Sequence, residues 1–201
     1  MSRAAAAPPP WALLSLMLRY PEDIPPGALE AGVAELPRRG APARALLERF
    51  LAEWDADPAT YVATFDLRRR ASLELTFYRY GDTRERGPAL LRIKKLYRAA
   101  GLPLDSAQLP DHLTVMLAFA ALAPDGYGAA LLAEHLPALE LLRRSLHDLD
   151  SPYAHVVDAV MTGLPPLDVH ERAEVVKLAR EGPPEEAVGL EPYGPPEAMP
   201  R

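Results

Sequence analysis

The 201-residue chain contains no cysteine, which excludes disulfides, thiolate metal sites and a cysteine nucleophile. Neither GxxxxGK[ST] nor GxGxxG occurs, so there is no recognisable phosphate cradle. A GxSxG elbow and a Ser-His-acid pattern are missing too. The histidines, His112, His135, His147, His155 and His170, never stand three or four residues apart. No single helix face therefore presents two of them to one ion. Basic residues are outnumbered, 22 Lys and Arg against 28 Asp and Glu, for a formal net charge of -6. That balance argues against a general nucleic-acid footprint and weakly favours a partner carrying positive charge. Long apolar runs are also wanting. Trp11 to Leu18 is too short to span a bilayer, and Pro8 to Pro10 interrupt any signal-peptide core, so no membrane insertion is expected. Nothing in this inventory demands an enzyme, and no cofactor or metal site is assigned.

What the chain does contain is helical patterning. Its 23 prolines fall between periodic segments rather than inside them, where proline is well placed as a first helical residue. Leu46, Leu47, Phe50, Leu51 and Trp54 recur at three- and four-residue steps, as do Leu90, Ile93 and Tyr97, and Leu139, Leu142 and Leu146. Tyr61, Phe65, Ser72, Thr76 and Tyr80 follow a similar spacing. Alternation bounded by hairpin turns is absent. The pattern predicts an all-α, single-domain bundle with helices over about 10–19, 26–36, 42–55, 59–80, 88–100, 110–123, 127–149, 152–162 and 168–181, Pro137 breaking or kinking the seventh. Gly81 can close the long fourth helix, and Asp82 with Glu85, or Gly87-Pro88, can open the next. Residues 1–9 are expected to be disordered, 10–181 to form the helical domain, and 182–201 to be a disordered Pro/Gly-rich tail. Within that tail Leu190 and Tyr193 could anchor it over a groove.

Two stretches merit a functional reading. Arg68 to Arg70 spread over about 200° of a helix surface, so they form either a solvated face or an anion or partner contact. Nearby Phe65, Phe77, Tyr78 and Tyr80 fit a core better than a ligand box. In QLPDHL, Pro110 suits a first helical position and Asp111 the first turn, where a carboxylate meets the positive end of the helix dipole. His112 is not explained this way. Adjacent residues point about 100° apart on a helix, which makes Asp111-His112 a poor catalytic dyad. A plain helix start and the rim of a binding groove both remain open.

The run YVATFDLRRRASLELTFYRYGDTRERGPALLRIKKLYRAAGL, then LPDHL, then SPYAHVVDAV, resembles the NarJ-type nitrate reductase assembly chaperones of the wider TorD/DmsD-like family, over about residues 11–165. The resemblance implies an all-helical cytoplasmic chaperone, not an enzyme. Its implied partner is the N-terminal peptide of the nitrate reductase catalytic subunit, held ready for molybdenum cofactor insertion before membrane docking. Asp111 and His112 match the family's client-recognition pair, and Gln108 stands where a glutamate is usual. Tyr61, Phe65 and Asp66 match its YxxxFD segment, while Pro88 departs from the family's pattern. These six residues, Asp111, His112, Gln108, Tyr61, Phe65 and Asp66, are the candidate peptide-binding set. Asp111→Ala or His112→Ala is then expected to weaken peptide binding in a folded domain. The alternatives are a carrier using Arg68–Arg70 or Lys94–Lys95 on the cofactor's phosphate, or a helical adaptor with another partner.

Overall fold

Aspartate and proline set where several helices begin. Asp57 accepts hydrogen bonds from the Ala59 and Thr60 amides at 3.0 and 3.2 Å, and Pro58 fills the first helical position. Asp168 and Glu171 cap each other's backbone amides reciprocally, at 2.8 and 2.7 Å, satisfying two donors that a helix start otherwise leaves orphaned. The computed structural model describes residues 9–38, 42–105, 107–124 and 126–185. Within them lie α1 (Trp11–Met17), α2 (Ala28–Glu35), α3 (Pro42–Glu53), α4 (Pro58–Phe65), α5 (Phe77–Tyr80), α6 (Arg86–Ala99), α7 (Leu113–Leu122), α8 (Tyr127–Ala133), α9 (Leu136–Asp148), α10 (Tyr153–Thr162) and α11 (Val169–Glu181). Short 3-10 turns occupy Pro21–Asp23 and Arg69–Ala71. The described residues contain no strand, only an isolated antiparallel bridge between Glu74 and His112. The fold is all-α, as its periodicity predicts.

Helix α7 is apolar, with Leu113, Met116, Leu117 and Phe119 buried. Helices α1 and α8 pack on it. Ser15 ties α1 down by donating to the Thr114 carbonyl at 2.8 Å. Helix α10 packs against α3 and α9, and α11 lies on α9. Arg79 clamps α11 through a bidentate pair with Glu174, at 2.8 and 2.7 Å. A chain of aromatic contacts, Tyr20–Tyr61–Phe65–Tyr153–Phe50–Trp54, joins α4 to α3 and α10 with ring centroids 4.8 to 5.5 Å apart. Such edge and offset contacts each add about 0.5–1.5 kcal/mol beyond area burial.

Two helix boundaries differ from expectation. The helix predicted over 59–80 is not continuous: α4 stops at Phe65 and α5 spans only Phe77–Tyr80. Between them the Tyr78 hydroxyl donates to the Arg70 and Ser72 carbonyls at 3.0 and 3.1 Å, and Ser72 Oγ accepts from the Glu74 amide. These bonds compete with a helical ladder. The break expected at Pro137 within 127–149 is present: the segment divides into α8 and α9, with Pro137 in the opening turn of α9. Helix α7 starts at Leu113, not at Pro110. Pro88 lies in the first turn of α6, where its missing N–H leaves no gap in the ladder. The expected disordered N-terminus and most of the tail lie outside the described residues; Gly182 to Glu185 lie within them.

The α7–α8 contact depends on Gly128. A Cβ there would meet Ala120 Cα at 2.1 Å and Ala120 Cβ at 2.6 Å, so the helices would have to part. Gly128→Ala should cost about 1–3 kcal/mol through overpacking, read as a lower urea midpoint; an unchanged midpoint would show that the two helices are not rigidly seated.

Candidate functional site

The Glu74–His112 bridge places the site. Leu75 donates its amide to the Asp111 carbonyl at 3.1 Å, and Leu113 donates to the Leu73 carbonyl at 2.8 Å. Leu73 and Leu75 are buried while Glu74 is half-buried, so this stretch alternates with period two. Pro110 is held from the other side, its carbonyl accepting the Tyr97 hydroxyl at 2.7 Å.

Asp111 is wholly buried, with 0% exposure. Its Oδ2 accepts from the Thr76 amide at 3.1 Å, from the Thr76 hydroxyl through a short bond, and from Arg86 Nη2 at 3.2 Å. Oδ1 is buried without a hydrogen-bond partner among the described residues. Arg86, the first residue of α6, also donates to Glu74 at 2.6 Å and to Thr76 Oγ1 at 3.1 Å. Burial opposes the Arg86 charge, but Glu74 and Asp111 outweigh it and hold its pKa above the ordinary value. Asp111 thus pins together the 74–76 stretch, the start of α6 and the entry to α7. It lies beneath the surface rather than on a rim.

Above this frame opens a cavity of about 320 Å³, lined by Tyr61, Phe65, Asp66, Arg69, Ser72, Leu73, Glu74, Phe77, Asp82 and His112. Its floor is aromatic and its rim carries Asp66, Glu74 and Asp82 against Arg69. Two guanidiniums approach the Phe77 ring, with Arg69 Cζ and Arg86 Cζ each 6.0 Å from its centroid. Tyr61 and Phe65 are only 8% and 6% exposed. The Tyr61 hydroxyl donates to the Leu18 carbonyl, and its burial raises its pKa above the usual tyrosine value.

Four of the six candidate residues, Tyr61, Phe65, Asp66 and His112, therefore meet at one cavity, while Asp111 and Gln108 do not line it. Gln108 is exposed, and its Oε1 accepts from Thr114 Oγ1 at 3.3 Å. The Thr114 hydroxyl is 2.7 Å from His112 Nδ1, so Gln108 reaches His112 through one threonine. Arg69, Glu74, Phe77 and Asp82 were missed as a set. Their clue was the density of charge and aromatics across FDLRRR…GDTRERG, hidden by reading 59–80 as one helix. Among the described residues no cluster of three His, Cys, Asp or Glu side chains could hold a metal ion.

The described residues thus combine an all-α fold with an acidic-rimmed cavity beside a buried Asp–Arg pair. The sequence profile of the nitrate reductase delta subunit matches residues 36–158, and the chain belongs to that family. It is 38% identical over 155 residues to the nitrate reductase-like protein NarX of Mycobacterium tuberculosis, covering 75% of this chain and 23% of that protein. It is 33% identical over 133 residues to the nitrate reductase molybdenum cofactor assembly chaperone NarJ of Escherichia coli, covering 65% of this chain and 56% of that one. The probable NarJ chaperone of Bacillus subtilis is 32% identical over 114 residues, covering 57% and 62%. The chain thus spans less than two thirds of the length of these relatives.

Asp111→Ala removes the buried acceptor of the Thr76 amide and hydroxyl and one of the anionic partners of Arg86, so it should destabilise the fold by about 1–3 kcal/mol, the cost of leaving buried donors unsatisfied. This replaces the expectation of a folded variant with weakened binding alone. Urea denaturation reads it, and a midpoint unchanged from the parent would refute the pinning role. His112 supplies a pH test. Burial lowers its pKa below the ordinary 6.5, against the opposing pull of Glu74, Asp111 and Asp66. Burial lowers His135 in the same direction. Below pH 6.5 the unfolded chain takes up protons that the folded imidazoles resist, so stability present above pH 6.5 declines as pH falls through the folded values. His112→Gln should flatten part of that decline in denaturation midpoints measured from pH 7.5 to pH 5; a parallel curve would remove His112 from the effect.

Proposed function

We propose that this chain is a system-specific chaperone for respiratory nitrate reductase. It binds the N-terminal segment of the catalytic subunit and supports molybdenum cofactor insertion and assembly before membrane docking. The observation that carries this reading is the cavity above Asp111, where the family's YxxxFD and Asp-His segments converge. The relatives' names supply the system: NarJ of Escherichia coli is named as a nitrate reductase molybdenum cofactor assembly chaperone.

The client segment enters as an amphipathic helix with its apolar face toward Phe65, Phe77 and Leu73, a mode in which one apolar stripe supplies most of the affinity. Asp66, Glu74 and Asp82 select basic residues beside that stripe and speed encounter. His112, neutral near pH 7, offers a hydrogen bond at the cavity wall. Tyr61 holds the floor, and Asp111 acts from below by positioning the wall. Gln108 orients His112 through Thr114. The protein works without a catalytic step or a bound cofactor, and its place is the cytoplasm. No described helix is long and apolar enough to cross a membrane.

Calorimetry with the catalytic subunit's N-terminal peptide tests this reading. Asp66→Lys, Asp82→Lys and His112→Ala should each weaken binding, the charge reversals by roughly 3- to 10-fold at low salt and less at high salt. Affinities equal to the parent's in all three variants would reject the cavity as the client site. A pull-down from the native host that lacks the nitrate reductase catalytic subunit would reject the client itself.

A further inference from the structure

The described chain ends beside the proposed client cavity. Gly182, Pro183, Pro184 and Glu185, together with Glu181, wall a second hollow of about 760 Å³ whose other walls are Arg69, Arg70, Phe77 and Asp82. Three of those residues, Arg69, Phe77 and Asp82, also line the client cavity, so the two hollows adjoin. The approach is close. A Cβ on Gly81 would fall 1.9 Å from the Pro184 carbonyl oxygen, so only glycine lets the tail's first residues lie on this face. Gly81 is buried and takes φ 56°, which glycine adopts without strain. Helix α11, which delivers the tail, is fixed by Val175, 1% exposed, and by the Arg79–Glu174 pair.

Charge around the exit complements the residues beyond it. Arg68, Arg69 and Arg70 are all exposed. The ion pair from Arg69 to Asp82 is long at 3.7 Å, and the arginine side chain is 73% exposed. Beyond Glu185 the sequence runs EAVGLEPYGPPEAMPR, with Glu186, Glu191 and Glu197 against one basic residue, Arg201. Val188, Leu190 and Tyr193 are its large apolar side chains before Met199. Eight residues of extended chain from Glu185 to Tyr193 reach about 26 Å, ample for the adjoining cavity.

We propose that residues 186–201 dock in the client cavity as a built-in placeholder, with Leu190 and Tyr193 on the aromatic floor and Glu186 and Glu191 against Arg68–Arg70. This inference rests on the client-binding reading of the cavity and adds its regulation. The tail carries the apolar contacts a client would make, and tethering gives it a high local concentration. It places almost no positive charge against Asp66, Glu74 and Asp82. A client with basic residues beside its apolar stripe therefore displaces it, whereas a nonspecific apolar segment competes poorly.

The test uses the full chain and its Leu190→Ser/Tyr193→Ser variant, with matched thermal melting as the folding control. The catalytic subunit's N-terminal peptide should bind the variant at least about threefold more tightly, as expected when the tail closes the cavity in about two thirds of molecules. A synthetic peptide of residues 186–201, added to the variant, should shift the amide resonances of Arg69, Glu74, Phe77 and His112. Equal client affinity in both proteins, with no shift at those four amides, overturns the placeholder and leaves the client reading intact. If the client peptide binds neither protein while the tail peptide still shifts those amides, the docking stands and the client reading fails. Shifts confined to residues outside the cavity overturn the docking whatever the client does.

Discussion

A carboxylate taken wholly out of water must be paired and hydrogen-bonded, and Asp111 imposes that condition on the middle of this chain. Its partners come from far along the sequence: the Thr76 amide and hydroxyl, and Arg86. To bring the Thr76 amide to Asp111, residues 73–76 must leave the helical path and lie beside 110–113. That requirement ends α4 at Phe65 and shortens α5 to one turn. It also fixes the start of α6, because Arg86 must reach Glu74 and Asp111 together. The frame is polar, but it sits on the buried, apolar α7 and so has little freedom to relax.

This explains which parts of the structure could be read in advance. Helices whose faces repeat every three or four apolar residues, such as α3 with Leu47 and Phe50 or α9 with Leu139, Leu142 and Leu146, fall close to where periodicity puts them. Pro137 marks the break before α9 because proline tolerates only the opening turn. The stretch 66–76 was illegible for a physical reason. Arg, Ala, Leu and Glu are good helix formers, yet Arg69–Ala71 form only a 3-10 turn and residues 73–75 run extended, held by Tyr78 and Ser72 nearby and by Asp111 far along the chain. Asp111 misled in the same way. Before a helix it suits the dipole locally, yet its actual bonds span 25 and 35 residues of sequence. Four of the candidate site residues converge at the cavity; Asp66 and His112 were marked by motif, whereas Arg69, Glu74 and Asp82 needed the folded path.

The path that buries Asp111 also builds the cavity. Alternation through Leu73, Glu74 and Leu75 sends two leucines into the core and leaves a carboxylate at the rim. Arg69 and Arg86 both lie over the Phe77 ring, a placement favourable to its negative face. In the proposed client mode, a buried aromatic floor loses little conformational entropy when a peptide arrives, which is where preorganised sites gain affinity.

Gln108 and His112 together set the character of the hydrogen bond at the cavity wall. The Thr114 hydroxyl has a single proton. With that proton donated to Gln108 Oε1, Thr114 can only accept from His112, so Nδ1 carries the imidazole proton and Nε2 is left as the acceptor. A glutamate at 108, usual in the family that this segment resembles, would accept from Thr114 equally well and preserve that tautomer. It would differ in charge, adding a carboxylate that draws a proton onto the ring. Glutamine keeps the orientation and withholds the charge, in accord with the burial that already lowers His112. In the proposed client mode, the selectivity for basic residues therefore comes from Asp66, Glu74 and Asp82, and His112 contributes a directed, uncharged hydrogen bond.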